Sequence, residues 1–200
     1  MKILVTAFGP FGGRSENSSS LVLRALRERL PEIRTRILPV DAVIAPSRLK
    51  EALRVVRPDA LVMLGEAAGS KSIRLETSAW NELDFRIPDI AGRIITARPV
   101  REGGPRMLSS TLPLDGILAA LDADGHPVSR SDDAGRYLCN QVFYQSLHHL
   151  AHHGIRIPAG FIHLPLAADL PTTRATDAME HLLHIVASGP SRRDNDRPSV

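Results

Sequence analysis

Cysteine, aromatic residues and long apolar runs are all scarce in this sequence of 200 residues. The single cysteine, Cys139, excludes an intramolecular disulfide framework. Aromatic side chains make up 4% of the chain, so few are available to stack against nucleic-acid bases. No apolar run approaches the roughly 20 residues that a membrane span needs. We therefore expect a protein that neither depends on disulfides nor crosses a membrane.

Positive charge is dispersed along the chain. The formal net charge is +3, and arginines lie among acidic residues, as in the stretch from Arg24 to Arg29. This mixture is typical of a solvated helix face, whereas nucleic-acid binding needs basic residues gathered on one surface. We expect no nucleic-acid partner. The stretch from Met1 to Phe8 lacks a signal-peptide cleavage pattern, so we also expect a cytosolic location.

The pattern of apolar residues predicts an α/β protein. Hydrophobic residues form 43% of the chain, which is enough for a sizeable core in one domain. Short apolar runs bounded by turn residues alternate with segments of helical period, and this indicates a mostly parallel, twisted sheet covered by helices on both faces. We predict a single three-layer α/β/α domain over residues 1–188. Residues 189–200 have almost no apolar content, and we expect this tail to be frayed or disordered.

The predicted elements follow from the apolar runs, the capping residues and the breakers. The predicted strands are residues 2–8, 34–40, 60–64, 72–80, 127–131 and 159–163, and the predicted helices are a segment between Asn17 and Pro31 and residues 46–56, 114–121, 140–153 and 174–187. Gly65 is expected to break the third strand. Residues 81–105 are polar, rich in Gly and Pro and too long for a simple connector, which is typical of a functional or mobile loop.

Cys139 lies where a loop is predicted to lead into a helix. The first turn of a helix has unpaired N–H groups and the positive end of the helix dipole, and both favour a thiolate over a thiol. Cysteine hydrolases also need an imidazole that exchanges protons with the thiol and an acceptor that holds the imidazole tautomer. His163 ends a predicted strand, where ligands gather in α/β sheets. Taken singly, Cys139, His163 and Glu76 are more typical of ordinary core or strand positions than of a catalytic site.

Four blocks of the sequence together resemble one family. The blocks are Phe8-Gly9-Pro10-Phe11-Gly12-Gly13, then Glu76-x-x-Ala79-x-Asn81 leading to Arg86-Ile87-Pro88-Asp89, then Ala134-Gly135-x-x-x-Cys139-Asn140-x-x-x-Tyr144, and finally Gly160-Phe161-Ile162-His163-x-Pro165. Their order and spacing over residues 1–170 are similar to those of pyroglutamyl peptidase I. The resemblance implies a cysteine peptidase that removes an N-terminal 5-oxoproline from peptides through a thioester acyl-enzyme and needs no cofactor.

The same resemblance assigns roles to individual residues. Cys139 matches the nucleophile, His163 the general base and acid, and Glu76 the residue that orients the imidazole. Arg86 matches an arginine that organises the site or stabilises developing negative charge. The other positions matched to substrate binding are Phe8, Phe11, Asn17, Glu66, Tyr137 and Leu138, with the two phenylalanines on either side of the substrate ring. Members of the family commonly form homotetramers, so a homo-oligomer is implied.

The chain departs from the family pattern near the expected pocket. Glu66 stands in Gly65-Glu66-Ala67-Ala68-Gly69, where the family usually has Gln. A carboxylate accepts a hydrogen bond from the ring N–H, but it cannot donate to a carbonyl unless it is protonated. Ser18 follows Asn17 where the family usually has Pro. Two alternatives therefore stay open, namely an enzyme for a different small amide substrate and a binding module of the same fold without activity.

Two further ligand classes are weakly indicated. The loop from Gly9 to Gly13 follows a predicted strand, but it lacks the glycine spacing and the Lys-Ser/Thr pair of a phosphate-binding loop. Histidines at positions 148, 149, 152 and 153 form two i,i+4 pairs, a spacing that binds a transition metal on one helix face. Histidines in a last helical turn also interact favourably with the helix dipole, and no acidic or thiol ligand lies beside these in sequence. We predict no metal site.

Overall fold

The computed structural model describes residues 1–189, so the predicted tail beyond Gly189 lies outside the described residues. The described strands are β1 Ile3–Phe8, β2 Arg34–Leu38, β3 Ala60–Glu66, β4 Ile73–Glu76, β5 Ser78–Trp80, β6 Met107–Ser109, β7 Val128–Ser131 and β8 Ala159–Leu164. The described helices are α1 Ser18–Arg29, α2 Ile44–Val56, α3 Leu114–Ala123, α4 Leu138–His152 and α5 Thr172–Ser188. Among these helices, none combines the length and the apolar character that crossing a bilayer requires.

The central sheet has six strands in the order β2-β1-β3-β8-β4-β7. Its pairs are parallel except β4 with β8, which is antiparallel. Strands β5 and β6 form a separate antiparallel pair. Because side chains alternate between the two faces of a strand, Val62 and Ile162 pack with α1, α3 and α5, whereas Leu61 and Phe161 pack with α2 and α4. The predicted three-layer α/β/α class is confirmed.

Local sequence explains where the helices that frame the site begin. Asn17 caps α1, since its Oδ1 accepts a hydrogen bond from the Ser19 N–H at 3.0 Å. Helix α4 begins at Leu138, two residues before the predicted start. Cys139 therefore occupies the first turn of α4, as its position after the loop predicts.

Two of the strand predictions are wrong. Strand β3 does not stop at Gly65 but continues to Glu66, because Gly65 pairs in register with His163 and needs no space for a side chain. Residues 72–80 do not form one strand. After β4 ends at Glu76, the backbone N–H of Thr77 donates a hydrogen bond to the carbonyl oxygen of Ser131 at the end of β7. The chain then leaves the central sheet, and β5 pairs with β6. The short strand β6 is not apparent in the sequence pattern.

Candidate active site

The sheet brings the predicted catalytic side chains to one face. In β8, His163 lies on the same face as Phe161, which packs in the core beneath α2 and α4. In β4, Leu75 packs against the opposite layer, so the alternate residue Glu76 lies on the face of His163. The antiparallel register pairs Glu76 with Phe161, which makes Glu76 and His163 diagonal neighbours across the two strands.

Glu76 and His163 are hydrogen-bonded. His163 Nδ1 lies 2.8 Å from Glu76 Oε1, with the carboxylate fully buried and the imidazole nearly so. A carboxylate accepts, so Nδ1 donates this hydrogen bond, and Nε2 is the ring nitrogen that remains available to exchange a proton. Arg74 Nε lies 3.4 Å from the same carboxylate oxygen, while Glu76 Oε2 has no hydrogen-bond partner within residues 1–189. One carboxylate oxygen of Glu76 therefore contacts both the imidazole and Arg74, and the other oxygen accepts a hydrogen bond from neither.

Cys139 reaches the same face from the first turn of α4. Its Sγ lies above β3, close enough that a Cβ placed on Gly65 would be 3.0 Å from the sulfur. Gly65 pairs in register with His163, so the thiol lies beside the strand next to the one that carries the imidazole. In the part of the chain that the structure describes, no hydrogen bond joins Sγ to the imidazole. The thiol is thus near the base but not engaged with it in the free protein.

The thiol of Cys139 is held in its neutral form. Burial raises its pKa to about 12, and the negative charges of Glu76 and Glu66 add to this rise, while the residue's own backbone N–H opposes it. This outcome differs from the sequence expectation of a stabilised thiolate. Desolvation and two carboxylates outweigh the helix N-terminus. The thiol of the free protein is therefore neutral, and it must lose its proton before or as the sulfur acts as a nucleophile.

The aromatic candidates form a cluster beside Cys139. Phe11 lies 6.3 Å from Tyr137, measured between ring centroids, and Tyr137 packs edge-on against Phe85 at 4.6 Å. The Tyr137 hydroxyl donates to the Pro88 carbonyl oxygen at 3.0 Å. Phe8 ends β1 as a buried residue of the core beneath α2 and α4. Phe11 and Tyr137 are part-exposed, as a binding wall requires.

Leu138 and Arg86 are placed differently from these aromatics. Leu138, the first residue of α4, is buried, and its side chain packs in the core beneath α2 and α4 rather than lining an open slot. Arg86 is exposed, and within residues 1–189 it forms no hydrogen bond or ion pair. The roles that the resemblance gives these two residues stay predictions.

Asn17 and Glu66 meet at the N-terminus of α1. Glu66 Oε2 accepts a hydrogen bond from the Ser18 N–H at 2.6 Å, and Oε1 lies 2.7 Å from Arg14 Nη1. Asn17 is buried, and its Nδ2 has no hydrogen-bond partner among the described residues. A donor of this kind suits a carbonyl oxygen of a ligand. Glu66 thus accepts a hydrogen bond at Oε2 only, and its Oε1 contacts Arg14 as an ion pair without accepting a hydrogen bond from the described residues.

Residues 81–105 are tied to the body of the protein. Asp89 is buried and accepts hydrogen bonds from the backbone N–H groups of Ala42, Ala91 and Arg93. The Arg93 guanidinium lies 3.0 Å from both Asp89 and Asp41. These contacts join the segment to the start of α2, so the length of the segment does not make it a loose loop.

Sequence reasoning missed three residues that shape this site. Gly65 gives the thiol its space, Arg74 contacts the Glu76 carboxylate, and Asn140 holds β5 to α4. The Asn140 side chain accepts from the Trp80 N–H at 2.8 Å and donates to the Trp80 and Glu82 carbonyl oxygens. The one available signal was the position of Asn140 directly after Cys139 in a matched block.

The histidine pairs on α4 lie at its opposite end. The ring centroids are 6.0 Å apart for His148 and His152, and 4.3 Å apart for His149 and His153. Burial lowers the pKa of His148 and of His149, and neighbouring positive side chains lower both further. Within residues 1–189, no group of three or more His, Cys, Asp or Glu side chains is arranged to hold a metal ion.

Sequence comparisons match this chain to one family of known proteins. A family model described as pyroglutamyl peptidase matches residues 1–181. The pyrrolidone-carboxylate peptidase of Pyrococcus furiosus is 39% identical over 168 residues, which cover 82% of this chain and 81% of that protein. The corresponding protein of Mycobacterium bovis is 34% identical over 182 residues, which cover 88% and 81%.

Solved structures extend the match to the fold. A mutant pyrrolidone carboxyl peptidase from Pyrococcus furiosus superposes with a TM-score of 0.88 at 32% identity, covering 94% of this chain and 98% of that one. Pyroglutamyl peptidase I from Bacillus amyloliquefaciens gives a TM-score of 0.88 at 28% identity, covering 94% and 95%. The prediction of family and fold is confirmed, and the chain belongs to the pyroglutamyl peptidase family.

Proposed function

We propose that this protein hydrolyses the amide bond after an N-terminal pyroglutamyl residue, with Cys139 as nucleophile, His163 as general base and acid, and Glu76 as the orienting carboxylate. The observation that carries the assignment is the 2.8 Å contact between His163 Nδ1 and buried Glu76 Oε1, on the sheet face that Cys139 covers. Family membership and the relatives' names confirm the predicted activity, and nothing favours the alternative substrates or an inactive binding module.

The first half of the reaction forms the acyl-enzyme. His163 Nε2 takes the thiol proton of Cys139 as Sγ bonds to the pyroglutamyl carbonyl carbon, and the carbonyl oxygen becomes negative. The unpaired N–H groups and positive dipole at the start of α4 stabilise that oxygen. The C–N bond then breaks, the imidazolium gives its proton to the leaving amine, and a thioester remains.

The second half releases pyroglutamate. His163 Nε2 removes a proton from a water molecule, whose oxygen attacks the thioester carbonyl carbon. The C–S bond breaks, and Sγ recovers the proton from the imidazolium. Glu76 stabilises the imidazolium in both halves, because its second oxygen has no competing partner among the described residues. None of these steps calls for a cofactor or a metal ion.

A pyroglutamyl-linked chromogenic amide tests the proposal. Wild-type protein should cleave it in preference to the matching prolyl and glutamyl amides, and Cys139→Ala should abolish cleavage while the unfolding midpoint stays near that of wild type. His163→Ala should behave in the same way. Substantial turnover by Cys139→Ala would overturn the assigned chemistry, whereas preference for the prolyl or glutamyl amide would overturn the assigned substrate.

Three further expectations are proposals that follow from the sequence and its family resemblance. We infer a single catalytic domain over residues 1–188, a cytoplasmic location and a homotetramer. The first is supported by helices that cover both faces of one central sheet. Light scattering on purified protein tests the tetramer, since a molecular mass near that of one 21.8 kDa chain would contradict it.

A further inference from the structure

The loop between β1 and α1 has few fixed points. Gly12 and Gly13 have positive φ angles of 62° and 76°, which produce the turn. Among the described residues, segment 10–16 forms one backbone hydrogen bond, from the Arg14 N–H to the Phe11 carbonyl oxygen at 3.2 Å, and one ion pair, from Arg14 to Glu66. The ion pair is therefore the polar contact that attaches this loop to the rest of the protein.

Glu66 is built to hold that ion pair. Its side chain is 3% exposed, and the Ser18 N–H fixes its Oε2 at 2.6 Å, which leaves Oε1 directed to Arg14 at 2.7 Å. The alternation of β3 also directs Glu66 toward α1, away from the face that carries Gly65 and Cys139. A carboxylate in this position at a helix N-terminus is electrostatically favoured. Its Oε2 is occupied by the Ser18 N–H, and its Oε1 is buried against the Arg14 guanidinium, although no residue among 1–189 donates a hydrogen bond to Oε1.

Arg14 connects this carboxylate to the aromatic cluster. Its guanidinium carbon lies 5.2 Å from the centroid of the Phe11 ring, within the range of a cation–π contact. Phe11 faces Tyr137 across 6.3 Å, and Tyr137 directly precedes the helix that carries Cys139. The contacts run from the end of β3 through Glu66, Arg14 and Phe11 to the N-terminus of α4.

We propose that Arg14 and Glu66 form a positioning pair that sets the place of Phe11 as one wall of the pyroglutamyl pocket. The inference rests on the proposed function for its substrate, but the coupling itself is a property of the free protein. Glu66 acts on substrate binding through the loop rather than through the ring N–H. Arg14 then provides the partner for the carboxylate that stands in place of the usual Gln. The departure from the family pattern is therefore a different polar contact at this position, and it does not disrupt the pocket.

The charges predict an unusual order of effects among three variants. Arg14→Gln leaves a nearly buried carboxylate without its cation, so it should be the most harmful. Glu66→Gln keeps an amide oxygen for the Ser18 N–H and should be milder. The double variant removes both charges and should recover part of the loss seen in Arg14→Gln. We expect KM for the pyroglutamyl amide to rise about 3- to 10-fold in Arg14→Gln, with kcat nearly unchanged.

Two controls separate positioning from general damage. Arg14→Lys should restore the ion pair but only part of the contact with Phe11, and so fall between wild type and Arg14→Gln. Arg24→Ala removes an exposed arginine on α1 that forms no hydrogen bond or ion pair among the described residues, and it should leave KM unchanged. Added salt should raise KM of wild type more than that of the double variant, because salt weakens the partly exposed ion pair.

Hydrogen exchange gives a readout that needs no substrate. Amides of residues 9–16 should exchange faster in Arg14→Gln and Glu66→Gln than in wild type, and those of β3 should not. Improved kcat/KM in Glu66→Gln would overturn the inference, since it would show that the carboxylate hinders direct binding of the ring. Unchanged exchange and unchanged KM in Arg14→Gln would also overturn it. Wild-type protein that cleaves no pyroglutamyl amide, yet shows the predicted exchange, would refute the proposed function alone.

Discussion

Cys139 Sγ occupies space that any side chain on Gly65 would take. A Cβ at Gly65 would lie 3.0 Å from this sulfur and 2.7 Å from two atoms of the Phe161 ring. Gly65→Ala should therefore move the nucleophile or the ring beneath it, and overpacking of this kind costs about 1–3 kcal/mol of stability. We expect kcat/KM to fall about tenfold or more, since small displacements of reacting groups are costly.

Gly116→Ala is the matched control for this prediction. Gly116 lies in α3, and a Cβ there meets no atom within 4 Å. Ala in place of a helical Gly stabilises by about 1 kcal/mol, so this variant should keep full activity and unfold at slightly higher denaturant concentration. Equal activity in Gly65→Ala and wild type would show that the thiol does not need its present position.

Glu76 should contribute through the imidazole rather than through the substrate. Glu76→Gln keeps the size of the side chain but removes the negative charge beside Nδ1, so kcat should fall roughly 10- to 1,000-fold with a smaller change in KM. The loss should stay below that of Cys139→Ala. Glu51→Gln, an exposed carboxylate on α2, is the control and should leave both constants unchanged. A KM effect without a kcat effect would contradict the orienting role.

Some features of the fold and of the candidate site could be predicted from the sequence. The α/β class follows from the period of the apolar residues, and the candidate triad follows from short blocks that resemble one family. Each of these predictions depends on local pattern. The prediction that Gly65 ends the strand is wrong for the same reason, since the space at Gly65 matters only where Cys139 of α4 lies beside it.

Features that depend on distant side chains could not be predicted. The raised pKa of the Cys139 thiol results from burial and from carboxylates on two different strands, and no local rule anticipates their sum. The role of Glu66 likewise depends on where the loop carries Arg14. Both result from tertiary packing. At Cys139, packing outweighs the preference of a helix N-terminus for a thiolate.

Asp89 should anchor the long segment that follows β5. Burial disfavours its charged form, but hydrogen bonds from Ala42 and Arg93 outweigh this effect and lower its pKa; the pKa of Asp41 is lowered by the N–H groups of Ile44 and Val43 and by Arg93. Asp89→Asn should cost about 1–3 kcal/mol at neutral pH, measured by urea unfolding. Asp84→Asn, at an exposed carboxylate of the same segment, should change stability by less than about 0.5 kcal/mol.

The lowered pKa values also fix the direction of the pH effect on stability. A carboxyl whose pKa is lower in the folded state stabilises the protein above its unfolded pKa of about 4, and this contribution disappears as pH falls through the folded value. Wild-type protein should therefore lose stability below about pH 4, and Asp89→Asn should lose less over the same range. An identical acid dependence for both proteins would contradict the anchoring role.

The neutral thiol of Cys139 makes a prediction for chemical modification. With a pKa raised to about 12, the thiolate fraction should grow about tenfold for each pH unit across the neutral and mildly alkaline range, and iodoacetamide alkylation should accelerate in parallel without a plateau. Cys139 is the only cysteine, so mass spectrometry after timed quenching reports this site alone. Cys139→Ser gives the background.

Because removal of the Glu76 charge lowers the thiol pKa, Glu76→Gln should alkylate faster than wild type at the same alkaline pH. A rate that is already constant above about pH 6 would instead show a preformed thiolate, and proton transfer would then precede substrate binding.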